Sequence, residues 1–127
     1  MQEGFGIIRT LFFDTYALVE IAKGNPNYDN YKNIRIVTSD FNLVELYYIL
    51  LKINYEKTDE YYKELSDFSI KLAFDIVKKA MIFRHKNRQL NLSYADCMGY
   101  IMAKEYNIKF LTGDKEFEKM ENVEFVK

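Results

Sequence analysis

An α/β domain, three layers deep around a mainly parallel central sheet, is the architecture this sequence predicts, on three observations. Apolar runs of strand length alternate along the chain with longer segments of helical period. The first run, Ile7 to Phe13, is apolar except at Arg9 and Thr10. That pattern suits a strand covered on both faces and central in a parallel sheet. Leu92 to Phe117 then reads as a helix feeding a strand, opened by Ser93 as N-cap with Asp96 three positions on, where a carboxylate reaches back to the cap. The 127 residues make one domain, 1–127, with a single substantial core.

Each element has a local reason. Gly4-Phe5-Gly6 resembles the start of a dinucleotide fingerprint, but it precedes the first strand and lacks the third glycine, so it is set aside. The first strand stops at Asp14-Thr15. Thr15 to Lys23 follows as a helix with Leu18, Ile21 and Ala22 on one face and Gly24 as its stop. Asn25 to Tyr31, with Pro26, reads as a polar loop, and Ile34 to Val37 as a second strand. Thr38-Ser39-Asp40 offers caps for a helix over Phe41 to Asn54. Thr58 opens another helix, and Phe68 to Leu72 fits either a short strand or its continuation. Ala73 to Arg88 is amphipathic and ends on a basic run, Arg84, His85, Lys86 and Arg88. Cys97 to Ala103 carries no charge, so that stretch of helix is expected to be buried nearly all round. Asn107 ends it, Ile108 to Thr112 is a strand closed by Gly113-Asp114, a short helix covers Lys115 to Met120, and Val123 to Val126 is an edge strand.

Composition narrows the function. Hydrophobic residues are 49% and charged residues 29%, a soluble globular balance, and no apolar run reaches the roughly 18 to 20 residues that span a bilayer. The opening MQEGFGIIRT has an acid where a signal peptide is basic, and Cys97 is the sole cysteine, so no internal disulfide forms and a cytoplasmic location is expected. A net charge of −1 argues against a general nucleic-acid coat protein. It leaves open an enzyme that meets nucleic acid through metal ions: setting four of the 19 acids aside for a metal site leaves 15 against 18 Lys and Arg.

Four of those acids stand beside or inside apolar segments: Asp14, Glu45, Asp96 and Asp114. Asp14 follows a strand and opens a helix, where helical N–H groups favour an ionised carboxylate. Asp96 lies on the first turn of a core helix, and Asp114 follows a strand. Strand ends and helix starts of this kind meet at the edge where α/β sheets build their sites. Glu45 has Phe41, Asn42, Tyr48 and Ile49 one turn away, a setting in which an unpaired charge costs several kcal/mol. Taken singly, Asp14, Asp96 and Asp114 also read as ordinary helix caps. Taken together, four carboxylates about 5 Å apart repel by roughly 3 kcal/mol per pair at an effective dielectric near 20, so they must take up protons or cations. Oxygen donors without a His or Cys cluster select Mg²⁺ or Mn²⁺ over zinc. Hydrolysis of a phosphodiester is the reaction such ions suit.

The order FFDTYAL, LVELYY and SYADCMGYIMAKEYNIKFLTGDKEF resembles the PIN domain, and most of all its small VapC-type ribonuclease toxins. That resemblance spans nearly the whole chain. It implies an α/β/α sandwich, Mg²⁺- or Mn²⁺-dependent cleavage of RNA, a homodimer, and a small antitoxin that holds the toxin inactive. By position it makes Asp14, Glu45, Asp96 and Asp114 the metal-binding, catalytic acids, with Thr15 and Thr112 in support. Glu116, where the family often has Asp, is auxiliary. Arg84, Lys86 and Arg88 are candidates for contact with RNA or an acidic antitoxin segment, and the surplus of tyrosines (Tyr47, Tyr48, Tyr61, Tyr62) for a dimer or antitoxin surface.

Two rival readings remain at this level. Phe12-Phe13-Asp14 also resembles the strand-end nucleophile of haloacid-dehalogenase and receiver proteins, although Tyr16 stands where a second acid belongs. A PIN-like scaffold that binds a partner without catalysis is the other.

Overall fold

The fold was obtained as a computed structural model that describes residues 8–127, so Gly4-Phe5-Gly6 and the start of the first apolar run at Ile7 lie outside the described residues. Among these residues five strands form one sheet, β1 Thr10–Phe13, β2 Arg35–Ser39, β3 Ser69–Ile70, β4 Lys109–Thr112 and β5 Val123–Phe125. Their order is β3-β2-β1-β4-β5 and every pairing is parallel. The strand read as central is central, and the sheet is wholly rather than mainly parallel. The helices are α1 Thr15–Ala22, α2 Asp40–Lys52, α3 Thr58–Ser66, α4 Phe74–Lys86 and α5 Tyr94–Glu105.

Alternation along β1 explains the three layers, because neighbouring side chains of a strand point to opposite faces. Phe12 and, on β4, Phe110 face the layer of α4 and α5, packed with Ile76, Ala80, Met102 and Phe117. Leu11, Phe13 and Leu111 face α1, α2 and α3, packed with Leu18, Leu43, Leu46 and Leu65. The uncharged stretch of α5 is buried from Ala95 to Ala103 as the composition required. Cys97 sits inside it with its thiol pushed up to about 11 by burial, then by the charge of Asp96, so it acts as a small apolar side chain.

Helix ends follow the local chemistry. Ser93 and Asp96 form the full capping box, Ser93 caps from its Oγ to the Asp96 N–H at 3.0 Å, and the Asp96 Oδ2 accepts the Ser93 N–H at 2.8 Å. Ser39 is the cap chosen from Thr38-Ser39-Asp40. Gly24 (φ +77°) turns the chain out of α1, and Asn107 (φ +56°) does the same after α5. Two expectations are corrected, and one open choice is decided. Asn25 to Tyr31 is no polar loop: Pro26–Tyr31 is a 3-10 helix capped by Asn25, and its Tyr28 is fully buried with its hydroxyl donating to the Val126 carbonyl. The helix read as Lys115 to Met120 is a single 3-10 turn, Lys115–Phe117. Phe68 to Leu72 resolves into the two-residue strand β3 at the sheet edge. Among the described residues no helix is long and apolar enough to cross a membrane.

Candidate active site

The strand order reverses at β1: the chain runs outward through β2 and β3, then returns to lay β4 on the other side. Crevices in parallel sheets open at such a switch point, beyond the carboxyl ends of the strands. Asp14 follows β1 and Asp114 follows β4, and the two strand ends are pinned together by the Asp14 N–H donating to the Leu111 carbonyl at 3.0 Å. α5 brings Asp96 from its first turn, and α2 brings Glu45. All four acids line one cavity of about 490 Å³, shared with Thr15, Tyr16 and Arg84.

Asp14 is the most enclosed of them, 1% exposed. It occupies the N-cap position of α1, yet its carboxylate makes no capping hydrogen bond. Its oxygens are held instead by other elements: Thr112 Oγ1 donates to Oδ2 at 2.7 Å, and Asn42 Nδ2 approaches Oδ1 at 3.4 Å. Thr112 Oγ1 in turn accepts the Asp114 N–H at 3.1 Å, so one hydroxyl ties the acid of β1 to the loop that carries the acid of β4. Burial drives the Asp14 carboxyl well above the usual carboxylate range, the charge of Asp96 pushes it further, the Thr112 hydroxyl opposes the rise, and Glu45 adds to it. Asp96 is pushed up to about 6, first by burial and then by Glu45 and Asp114, against the stabilising Ser93 N–H. Each carboxylate is thus felt by another across the same cavity.

Glu45 corrects part of the sequence argument. Its neighbours Phe41 and Tyr48 are exposed, and Glu45 itself is half-buried at the cavity mouth, so the desolvated acids of the cluster are Asp14 and Asp96. Asp114 is also half-buried, with Oδ1 accepting the Glu116 N–H at 3.0 Å. The Glu116 side chain is outside the cavity lining. Of the basic run only Arg84 reaches the cavity. Lys86 and Arg88 are exposed away from it, and Arg88 folds back onto the His85 carbonyl at 2.8 Å.

Asn42 was missed as a site residue. It is fully buried, its Nδ2 donates to Thr15 Oγ1 at 3.1 Å as well as facing Asp14, and its Oδ1 accepts the Ser39 hydroxyl at 2.6 Å. That last bond sets which end of the amide faces the acid. The available signal was its place one helical turn before Glu45, on the same face of α2.

A family model for the PIN domain matches residues 11–123. The chain belongs to the PIN domain family. Among solved structures this PIN domain resembles a toxin–antitoxin complex from Klebsiella pneumoniae, at 19% identity and a TM-score of 0.71 over 90% of this chain and 95% of that one. It also resembles the Mycobacterium tuberculosis toxin VapC20, described as cleaving the sarcin–ricin loop, at 13% identity and a TM-score of 0.78 over 92% and 99%. A third likeness is to VapBC2 from Rickettsia felis, bound to a DNA fragment from its promoter, at 20% identity and a TM-score of 0.66 over 93% and 99%. At these identities the likeness is one of fold. No curated protein sequence matches the chain.

Proposed function

We propose that this PIN domain is an endoribonuclease that hydrolyses RNA phosphodiesters with Mg²⁺ or Mn²⁺ held by Asp14, Glu45, Asp96 and Asp114, and that it is the toxin of a toxin–antitoxin pair. One observation carries the reading: Asp14 lies buried at a cavity that Asp96, Glu45 and Asp114 also line, its carboxyl is raised first by burial and then by the charges of Asp96 and Glu45, and among the described residues no cation pairs with it. A divalent cation relieves that cost. The donor set is all oxygen, which fits these ions. Among the described residues no three Asp, Glu, His or Cys side chains converge tightly enough to hold an ion directly. An ion there would reach some of these acids through its waters, since Mg²⁺ usually keeps several waters and takes one or two carboxylates directly.

A bound ion of this kind neutralises phosphodiester charge and makes a water more acidic. The protein's part is to hold and orient. Thr112 and Asn42 fix the Asp14 oxygens, and the capping bond from Ser93 fixes one oxygen of Asp96, turning the pair into a rigid acceptor set. Glu45 and Asp114, half-buried at the mouth, would complete the oxygen donors around an ion held there. Thr15 supports the cluster through Asn42, to whose carbonyl its hydroxyl donates at 3.4 Å. Glu116, off the lining, has no direct part.

The nucleophile reading is disfavoured by the same geometry, because Asp14 is enclosed with both oxygens engaged, and no lysine lines the cavity among the described residues. For a partner, the relevant surface is α2, where Phe41, Val44, Tyr48 and Leu51 are all exposed at helical spacing. An antitoxin, or a second copy in a homodimer, would cover this stripe. Tyr61 takes no part, since its hydroxyl is bound to the Leu18 carbonyl at 2.8 Å. The test is cleavage of a mixed-sequence RNA with Mn²⁺, alongside calorimetric titration of Mn²⁺. Wild type is expected to bind and cleave, while Asp14→Asn and Asp96→Asn remain folded and do neither. Cleavage by both variants rejects the assignment, and Mn²⁺ binding without cleavage of any RNA favours the scaffold.

A further inference from the structure

The cavity poses an electrostatic problem for the substrate it is proposed to take: a polyanion must approach four carboxylates. Among the described residues a single cationic side chain, Arg84, lines the cavity. Arg84 is held there from two sides. Its Nε donates to the Leu92 carbonyl at 3.3 Å, and its guanidinium lies over the ring of Tyr94, 4.4 Å from the ring centre. Both anchors come from the segment that leads into α5, so the guanidinium is fixed relative to Asp96. Among the described residues no carboxylate forms an ion pair with it, although four line the same cavity. Among the described residues its terminal nitrogens make no hydrogen bond, so the side chain lines the cleft with donors to spare, and a guanidinium fork matches phosphate geometry. Tyr94 is 55% exposed, large and aromatic on a surface where the capping box, formed by Ser93 and Asp96, has no use for it.

Resting on the nuclease reading, we infer that Arg84 and Tyr94 form a nucleotide-gripping arm at the rim of the acid cavity, Arg84 binding a backbone phosphate beside the scissile one and Tyr94 stacking on an unpaired base. Arg84 and Tyr94 act on binding and leave the metal ligands alone.

The test measures affinity and catalysis separately. Binding of a fluorescent single-stranded RNA is followed by anisotropy in EDTA across a salt series, Mn²⁺ binding by calorimetry, and cleavage by KM and kcat. Arg84→Gln is expected to weaken RNA binding and raise KM by about tenfold, the scale of one charge-assisted hydrogen-bonded contact, with kcat within about twofold. Its log–log salt slope should flatten by about 0.7. Arg84→Lys recovers part of the affinity and Tyr94→Phe nearly all, whereas Tyr94→Ala loses about tenfold. Lys78→Gln, an exposed charge on the same helix, is the control for net charge. Mn²⁺ affinity stays at the wild-type value throughout.

Wild-type affinity and KM in Arg84→Gln and Tyr94→Ala overturn the inference while leaving the nuclease intact. Equal loss of RNA and Mn²⁺ binding also overturns it, by making the pair a structural clamp. Arg84-dependent binding of an acidic peptide with RNA binding untouched assigns the guanidinium to a protein partner and overturns it likewise. Arg84-dependent RNA binding in a protein that never cleaves sustains the arm and removes the nuclease.

Discussion

Asp96→Asn exposes the energetic logic of the site. The Asp96 carboxyl titrates at about 6 in the fold against an ordinary 3.8, the native state holding its proton more tightly than the unfolded chain. Between these values the native state binds more protons, so stability falls as pH rises, the reverse of an ion-paired carboxylate. The gap from 3.8 to about 6 corresponds to a ceiling of about 3 kcal/mol at 1.36 kcal/mol per pH unit. That stability is present below pH 3.8 and gone above pH 6. Asparagine keeps a carbonyl for the Ser93 N–H and carries no charge, and it also removes the Asp96 charge that Asp14 feels. Urea unfolding in metal-free buffer from pH 4 to pH 7.5 is the assay. Wild type loses stability across this range, the variant loses less, and at pH 7.5 the variant is more stable by up to about 3 kcal/mol. Saturating Mn²⁺ reverses the order, since it binds only the native wild type. A variant no more stable than wild type at pH 7.5, or a wild type that gains stability from pH 4 to 6, refutes the account of Asp96 as a desolvated, repelled acid.

Three further outcomes follow from particular contacts. Thr112→Val removes the hydroxyl that serves Asp14 Oδ2 and the Asp114 N–H, so the Asp14 carboxyl rises further, Mn²⁺ affinity falls about tenfold by calorimetry, and stability drops by about 1–3 kcal/mol. Asn42→Ala strands the Ser39 hydroxyl and releases Asp14 Oδ1, costing about 1–3 kcal/mol in urea unfolding together with a loss of Mn²⁺ affinity, whereas Glu116→Gln leaves that affinity at the wild-type value. Gly113→Ala places a methyl 2.3 Å from both a Tyr16 ring carbon and the Val126 carbonyl oxygen, and because the latter is backbone of the neighbouring chain segment the thermal midpoint falls, by about 1–3 kcal/mol equivalent or more.

Much of this molecule is legible along the chain, because caps, strand ends and buried stretches depend on neighbours a few residues away. The Ser93–Asp96 box, the central place of Thr10–Phe13, the uncharged core of α5 and the three acids at element ends, Asp14, Asp96 and Asp114, all rest on such short-range chemistry. Tyr28 and the 3-10 helix around it were hidden, since that ring packs into the core between the sheet and α1 to α3 and its hydroxyl meets a carbonyl far along the chain, at Val126. Which acids bear the cost of burial was hidden too: of the apolar neighbours of Glu45, Phe41 and Tyr48 face outward, while Asp14 is enclosed by β4 and α2 and Asp96 by the packing of α5. Asn42 and Arg84 gained their places the same way, one turned onto Asp14 by a contact across 28 positions and the other fixed over Tyr94 by the packing of α4 on α5. Local chemistry names the groups that can do the work, and only packing of distant segments establishes which of them lose their water and face one another.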